Sequence, residues 1–172
     1  MYKLKKNLVL TGMMGVGKST IGKSLSKTLN IHFKDVDKII EKKQSLSITE
    51  IFNLKGEEFF RNLEETESMN LIKKSGLIIA LGGGAFMNEK IRKNVKQFCI
   101  SIWLDLSSEE IFTRTIKFNK RPLLKNIKSK DDIEKLYSKR RNTYSLADHK
   151  IDCNGKSEVE VVNKIKEIYE NI

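Results

Sequence analysis

Apolar residues in this chain fall into short continuous runs, separated by longer stretches in which they recur at helical spacing. That alternation predicts strands and helices in turn. Asn7–Leu10 (NLVL) reads as a buried strand and Lys18–Leu29 as the helix after it. Ile31–Asp35 (IHFKD) is a short second strand, followed by helical pieces carrying Ile39, Ile40, Ile48, Ile51, Phe52 and Leu54. From Glu57 to Lys74 the apolar positions Phe60, Leu63 and Leu71 keep helical spacing, and Leu77–Leu81 (LIIAL) is a third strand halted by Gly82, Gly83 and Gly84. Ile100–Leu104 (ISIWL) is a fourth strand. After it, Ser107 and Glu110 form the capping-box pattern that starts a helix. Lys150–Cys153 is a weak fifth strand. The tail Glu158–Ile172 sets Val162, Ile165, Ile168 and Ile172 on one helical face. Strands separated by helices call for right-handed crossovers and a parallel sheet covered on both sides.

At 172 residues the chain fits one domain with one core, and 39% hydrophobic content is enough to fill it. No apolar run approaches the about 20 residues of a membrane span. The basic, briefly apolar start leads into a glycine loop without a small-residue cleavage site, so it reads as the start of a cytoplasmic protein. Cys99 and Cys153 lack metal-ligand spacing and read as buried small apolar residues. The formal charge of +11 raises nucleic acid as a partner, but 27 of the 33 basic residues are scattered lysines, the pattern of a solvated surface. The few arginines therefore stand out as candidates for planar, forked recognition. One stretch, Lys117–Lys130, is polar and basic, holds the only proline, Pro122, and reads as a long mobile loop.

Gly12-Met13-Met14-Gly15-Val16-Gly17-Lys18-Ser19 fits GxxxxGK[ST], with Thr20 following. Such a loop between strand and helix aims backbone N–H groups at phosphates, where the helix dipole also favours anions. Lys18 would reach the β- and γ-phosphates, and the Ser19 hydroxyl would ligate Mg²⁺. Asp35 and Asp37 follow the second strand at the carboxyl edge, where open α/β sheets bind ligands. As strand neighbours two apart they would point the same way, one serving Mg²⁺ through water and the other accepting a hydroxyl proton. The competing account makes Asp37 a helix N-cap and Asp35 a solvated charge.

Gly82–Gly84 offers bare backbone to a small ligand, or alternatively a tight strand-to-helix turn. Arg121, beside Pro122, could close on the triphosphate as an internal arginine finger, or be a solvated loop charge. Arg61 emerges from an amphipathic helix. Arg140 and Arg141 sit near a helix end, where the dipole alone would account for them. Together these parts describe a site for a nucleoside triphosphate and a small acceptor with both hydroxyl and carboxylate groups, the carboxylate suited to the forks of Arg61 and Arg140.

The P-loop, Phe33-Lys34-Asp35-Val36-Asp37, Gly56-Glu57-Glu58-Phe59-Phe60-Arg61, Gly82–Gly84 with Ala85, and Arg121-Pro122-Leu123-Leu124 stand in one order and spacing. That set closely resembles the shikimate kinase family, almost from end to end. The resemblance implies a three-layer αβα P-loop fold with a five-stranded parallel sheet in the order 2-3-1-4-5. It implies one kinase domain over 1–172, with an acceptor-binding segment at about 35–62 and a mobile lid at about 116–130. It implies that Asp37, Arg61, Gly83 and Arg140 bind shikimate, with Asp37 on the acceptor hydroxyl and the two arginines on the carboxylate. Gly15, Val16, Gly17, Lys18, Ser19 and Thr20 would bind ATP phosphates. Ser19 and, through water, Asp35 would serve Mg²⁺, Arg114 would lie near the adenine and Arg121 would close from the lid. The chain departs from the family in having Asn142 two residues after Arg140, and in having no proline near Asn154–Glu158, where Lys156 is a candidate nucleotide contact.

The expected activity is thus ATP- and Mg²⁺-dependent phosphorylation of the shikimate 3-hydroxyl in aromatic amino-acid biosynthesis. It is expected of a cytoplasmic monomer that engages neither nucleic acid nor membrane. A gluconate-kinase-like enzyme of the same fold is the nearest rival, and a nucleic-acid-binding P-loop NTPase is the rival from another class.

Overall fold

The computed structural model describes residues 6–116 and 129–171. Among the described residues five strands alternate with seven helices: β1 (Asn7–Thr11), α1 (Lys18–Leu29), β2 (His32–Asp35), α2 (Val36–Gln44), α3 (Ile48–Ile72), β3 (Leu77–Ala80), α4 (Glu89–Phe98), β4 (Cys99–Asp105), α5 (Ser108–Ile116), α6 (Lys130–Tyr144), β5 (His149–Asp152) and α7 (Glu158–Glu170). A single 3-10 turn, Ala85–Met87, precedes α4. The sheet is wholly parallel in the order β2-β3-β1-β4-β5, as expected.

Burial explains which strands were easy to read. Every residue of β1, β3 and β4 is buried, so these strands carry helices on both faces and appear as unbroken apolar runs. The edge strands β2 and β5 alternate exposed with covered positions and carry Lys34 and Lys150 outward, which is why the fifth was faint. Because β3 and β4 flank β1 on opposite sides, the chain reverses its winding direction there. The loop leaving β1 therefore opens into the crevice at the carboxyl edge of the sheet.

The helices begin where side chains can cap them. Ser47 with Glu50, Ser129 with Asp132 and Ser157 with Glu160 form reciprocal capping boxes on α3, α6 and α7. At α5 only half of the expected box forms. Ser107 Oγ accepts from Glu110 N–H, but Ser107 N–H donates to Asn154 Oδ1 at 2.9 Å, and Glu110 turns to Arg114 instead. Helix α3 breaks at Gly56 (φ 86°, ψ 168°), a conformation open essentially to glycine alone. Phe52 and Phe60, ring centroids 4.8 Å apart, pack across the break.

Leu54, grouped above with apolar helix positions, is 70% exposed. Helix α4 escaped the sequence reading because it buries only Ile91 and Val95. On α7 the buried face is Val161, Val162, Ile165 and Tyr169, a slight rotation from the expected stripe, and Ile172 lies outside the described residues. No helix among the described residues is long and apolar enough to cross a membrane.

Asn7 holds the end of the sheet opposite the crevice. Its amide donates to the carbonyls of Leu71, Ile72 and Lys74, and its oxygen accepts from Leu77 N–H; the Lys74 bond is partly buried and the other three are buried. One side chain thus satisfies the last carbonyls of α3 and starts β3. Asn7→Ala should lower stability by about 3 kcal/mol, because several buried groups lose their partner together. That corresponds to a fall of roughly 10 °C in Tm, measurable by circular dichroism. A shift no larger than measurement error would show that these bonds add nothing net.

Candidate active site

The loop between β1 and α1 turns on Gly12, Gly15 and Gly17, with φ values of 134°, 80° and 103°. Gly17 is the N-cap of α1, without a side-chain cap and without an acidic residue in the first turn. Every other helix has a capping side chain: Asp35, Ser47, Asn88, Ser107, Ser129 and Ser157 in chain order. The first N–H groups of α1 are left to an external anion, which the dipole favours at that end. Lys18 is buried and folds back over the loop, donating from Nζ to the carbonyls of Gly12 and Met13 at 2.8 Å each. The Ser19 hydroxyl donates to Asp35 Oδ2 at 2.5 Å. Beside these groups a cavity of about 210 Å³ is lined by Gly17, Thr20, Arg114, Cys153 and Lys156, among others. Arg114 is steadied there by Glu110 at 3.1 Å.

The two aspartates do not share a strand face. The strand ends at Asp35, which is itself the N-cap of α2, accepting from Lys38 N–H, and Asp37 sits in the first helical turn. Neither the strand-alternation argument nor the account with Asp37 as cap survives. Asp35 turns toward Ser19. Asp37 Oδ1 faces Gly82, where a Cβ would stand 2.8 Å from it.

Gly82–Gly84 serves as both a turn and a close approach. Ala85 N–H donates to the Gly82 carbonyl, starting the 3-10 turn, yet each glycine also faces a functional group. A Cβ on Gly82 would come 2.3 Å from Glu64 Oε1, one on Gly83 3.1 Å from Met14 N, and one on Gly84 2.5 Å from Arg61 Nη1. The triplet thus borders the P-loop on one side and α3 on the other.

Arg61 is gripped on both flanks, with Nη1 to Glu64 at 2.7 Å and Nη2 to Glu57 at 3.0 Å, its side chain still 30% exposed. Arg140, only 9% exposed, donates from Nη1 to the Gly83 carbonyl at 3.0 Å, and the Tyr144 hydroxyl donates to the same oxygen at 2.5 Å. Burial pushes the Tyr144 phenol up to about 12, so it remains a donor at neutral pH.

Sequence reasoning missed Tyr144 and, above all, Glu64. Burial raises the Glu64 carboxyl above its ordinary range. Arg61 draws it back down, Asp37 pushes it further up and Arg140 opposes that. Asp37 and Glu64 both face Gly82, Arg61 bonds Glu64 and faces Gly84, and Arg140 bonds Gly83, so groups brought in by α2, α3 and α6 converge on the glycine triplet beside that carboxylate. The signals available beforehand were only spacings: Glu64 lies one helical turn after Arg61, and Tyr144 one turn after Arg140.

The structure also separates the paired arginines. Arg141 is exposed and stacks its guanidinium 5.9 Å from the Tyr137 ring, while Arg140 turns inward. Arg121 and Pro122, with most of the lid segment, lie outside the described residues. Cys99 and Cys153 are free and buried, and burial raises their thiols to about 12 and about 11.

Comparison with known proteins points to one family. A family model described as shikimate kinase matches residues 14–170. The shikimate kinase of Persephonella marina is 38% identical over 160 residues, covering 93% of this chain and 96% of that protein. The structure of the Acinetobacter baumannii shikimate kinase in complex with shikimate superposes with a TM-score of 0.93 at 30% identity, covering 99% of this chain and 96% of the other. A gluconokinase from Sinorhizobium meliloti aligns with a TM-score of 0.54 at 11% identity, which marks a common fold and nothing more.

Proposed function

The chain belongs to the shikimate kinase family, and from that premise we propose that the residues between the P-loop and Gly82–Gly84 transfer the γ-phosphoryl group of ATP to the 3-hydroxyl of shikimate. The activity is the family's own: ATP-dependent phosphorylation of shikimate, a step of aromatic amino-acid (chorismate) biosynthesis. One observation supports the residue assignment more than any other. Asp37, Arg61 and Arg140 meet around Glu64 and the glycine triplet, directly against Met14 of the P-loop.

In this reading Arg61 and Arg140 hold the substrate carboxylate through forked, charge-assisted hydrogen bonds, and the bare backbone at Gly83 lets the ring come close. The 3-hydroxyl oxygen attacks the γ-phosphorus, the bond from that phosphorus to its bridging oxygen breaks, and the hydroxyl proton passes to the Asp37 carboxylate. Lys18 leaves the carbonyls of Gly12 and Met13 to meet charge developing on the phosphates. Because the transition state is loose, the side chains contribute placement and charge rather than covalent chemistry. Glu64 keeps Arg61 extended toward the acceptor.

On the nucleotide side Gly15, Val16, Gly17, Lys18, Ser19 and Thr20 cradle the phosphates, and Arg114 lines the base end. Ser19 and Asp35 form a pair of hard oxygens 2.5 Å apart that fits Mg²⁺, Ser19 directly and Asp35 through water. Bound there, the ion would neutralise charge across the β- and γ-phosphates. The place of Arg121 over the phosphates rests on the resemblance alone. The same reading takes the chain as one kinase domain over 1–172, with an acceptor segment at about 35–62 and a lid at about 116–130. It takes the protein as a cytoplasmic monomer without a nucleic-acid partner, and strong, salt-sensitive RNA binding would count against it.

The decisive assay couples ADP release to shikimate, with ATP and Mg²⁺ present and gluconate as control. Release that depends on shikimate and ignores gluconate is expected; the reverse would hand the site to the rival kinase. Arg61→Ala should raise the KM for shikimate by about 10- to 100-fold while kcat falls less, since a clamp on a non-reacting carboxylate binds ground and transition states alike. An unchanged KM would remove Arg61 from the clamp.

A further inference from the structure

Helix α6 carries Arg140 into the site, yet it holds the sheet with unusual side chains. Its buried residues are Ile133, Tyr137, Arg140 and Tyr144, one face at helical spacing on which only Ile133 is aliphatic. Tyr137 and Tyr144 bury their rings in the core as well, so what sets this helix apart is that three of its four buried residues add directional polar contacts to the non-directional apolar packing.

Two of those contacts, Arg140 and Tyr144 on the Gly83 carbonyl, belong to the acceptor site itself. The third lies outside it. The Tyr137 hydroxyl donates to Asp105 Oδ1 at the carboxyl end of β4. Asp105 is an acceptor with partners on two further sides. It is buried, its Oδ2 pairs with Lys150 Nζ of β5 at 2.6 Å, and its carbonyl accepts from Cys153 N–H at 2.8 Å. The Lys150 ammonium also stands 4.7 Å over the Trp103 ring, and Trp103 stacks on Tyr144 with centroids 6.1 Å apart. Sheet and helix are thus joined in a closed circuit: Asp105, Lys150, Trp103, Tyr144, and back along α6 to Tyr137.

We propose that Tyr137 and Asp105 are positioning residues for acceptor binding: their hydrogen bond fixes α6 on the sheet so that Arg140 presents its guanidinium at Gly83. Tyr137 stands one helical turn before Arg140, about 4.5 Å along the axis, so a slip of the helix at Tyr137 carries Arg140 with it. A forked contact tolerates little displacement, and an error of about 1 Å is enough to lose it. Neither residue touches substrate. The inference rests on the reading of Arg140 as part of the carboxylate clamp.

The test is steady-state kinetics on the whole chain with Tyr137→Phe, Asp105→Asn, Asp105→Val and Arg140→Ala, each also melted. Tyr137→Phe deletes one hydroxyl and keeps the ring. It should raise the KM for shikimate about three- to tenfold, leaving kcat and the KM for ATP within about twofold. Asp105→Asn retains an oxygen for the Tyr137 donor, with Lys150 free to turn to solvent, and should stay near the parent KM. Asp105→Val should match Tyr137→Phe, and the double variant should be no worse than the weaker single, as for two ends of one bond. If Arg140→Ala raises the KM for shikimate and Tyr137→Phe does not, the anchor is refuted while the clamp stands. If Arg140→Ala leaves that KM unchanged, the clamp reading fails first and this inference with it. A lowered Tm in Tyr137→Phe with unaltered kinetics would reduce the bond to a structural one and overturn the proposal.

Discussion

Replacing Lys18 with methionine should leave a folded protein that turns over about 10³-fold more slowly, the loss seen when a donor aimed at developing charge is removed from a closed site. That loss is about 4 kcal/mol of transition-state stabilisation. Methionine keeps the length and apolar stem of lysine, so the buried path past the loop stays filled. What goes is the ammonium, which in the free protein donates to the carbonyls of Gly12 and Met13. Leaving those carbonyls short of a donor should cost about 1–3 kcal/mol of stability, a modest fall in Tm. Activity and stability therefore separate: most of the kcat disappears at a temperature where circular dichroism still reports native helix. Turnover within about tenfold of the parent would mean that Lys18 is only a structural clasp for the loop.

Asp37→Asn should lower kcat by about 10²- to 10⁴-fold, the range for removing a proton acceptor from the reacting hydroxyl, with little change in either KM. The amide is isosteric and still fits against Gly82, so the clamp is undisturbed. Asp37 also contributes to holding the Glu64 carboxyl above its ordinary range, behind the larger effect of burial. A carboxyl raised in the folded state stabilises the protein fully below its unfolded pKa, and that contribution is lost as pH rises through the folded value. Removing the neighbouring charge makes that loss smaller. The variant should therefore melt higher relative to the parent at pH 7.5 than at a pH well below the ordinary carboxylate range, where Glu64 is protonated in both proteins and its part of the difference vanishes. Near-native kcat would dismiss Asp37 as the base, and a Tm difference independent of pH would show that it does not act on Glu64.

The reading of Asp35 and Asp37 shows how far local pattern reaches. Asp35 stands at Ser19 and Asp37 at Gly82, for a reason the pattern does not contain. Strand alternation would carry through to Asp37, whereas the strand stops at Asp35, whose side chain caps α2. The dipeptide step carries no mark of where strand geometry yields to helix, because that depends on whether the next turn finds a wall to pack on. Val36 and Ile40 supply that wall contact, and both are buried. Arg140 and Arg141 make the same point. Their place near a helix end says the same of both, and only the family resemblance singles out Arg140, yet in the structure it is buried against Gly83 and Arg141 is in solvent. Adjacent helix positions differ by about 100° in direction, so only the docking of α6 on the sheet separates them.

By itself the sequence determined the sheet, its order through family resemblance, and the phosphate loop, since a buried parallel strand is an unbroken apolar run and the loop is a contiguous string of glycines, lysine and serine. Tertiary structure alone decided that Glu64 is buried at the meeting point of Asp37, Arg61 and Arg140, that Tyr144 shares the Gly83 carbonyl with Arg140, and that Asp105 reaches Tyr137. Strand and helix periods are properties of neighbouring residues. Convergence of groups as far apart in the chain as Asp37 and Arg140, and the desolvation that tunes them, exist only once the elements have closed on each other and water has left.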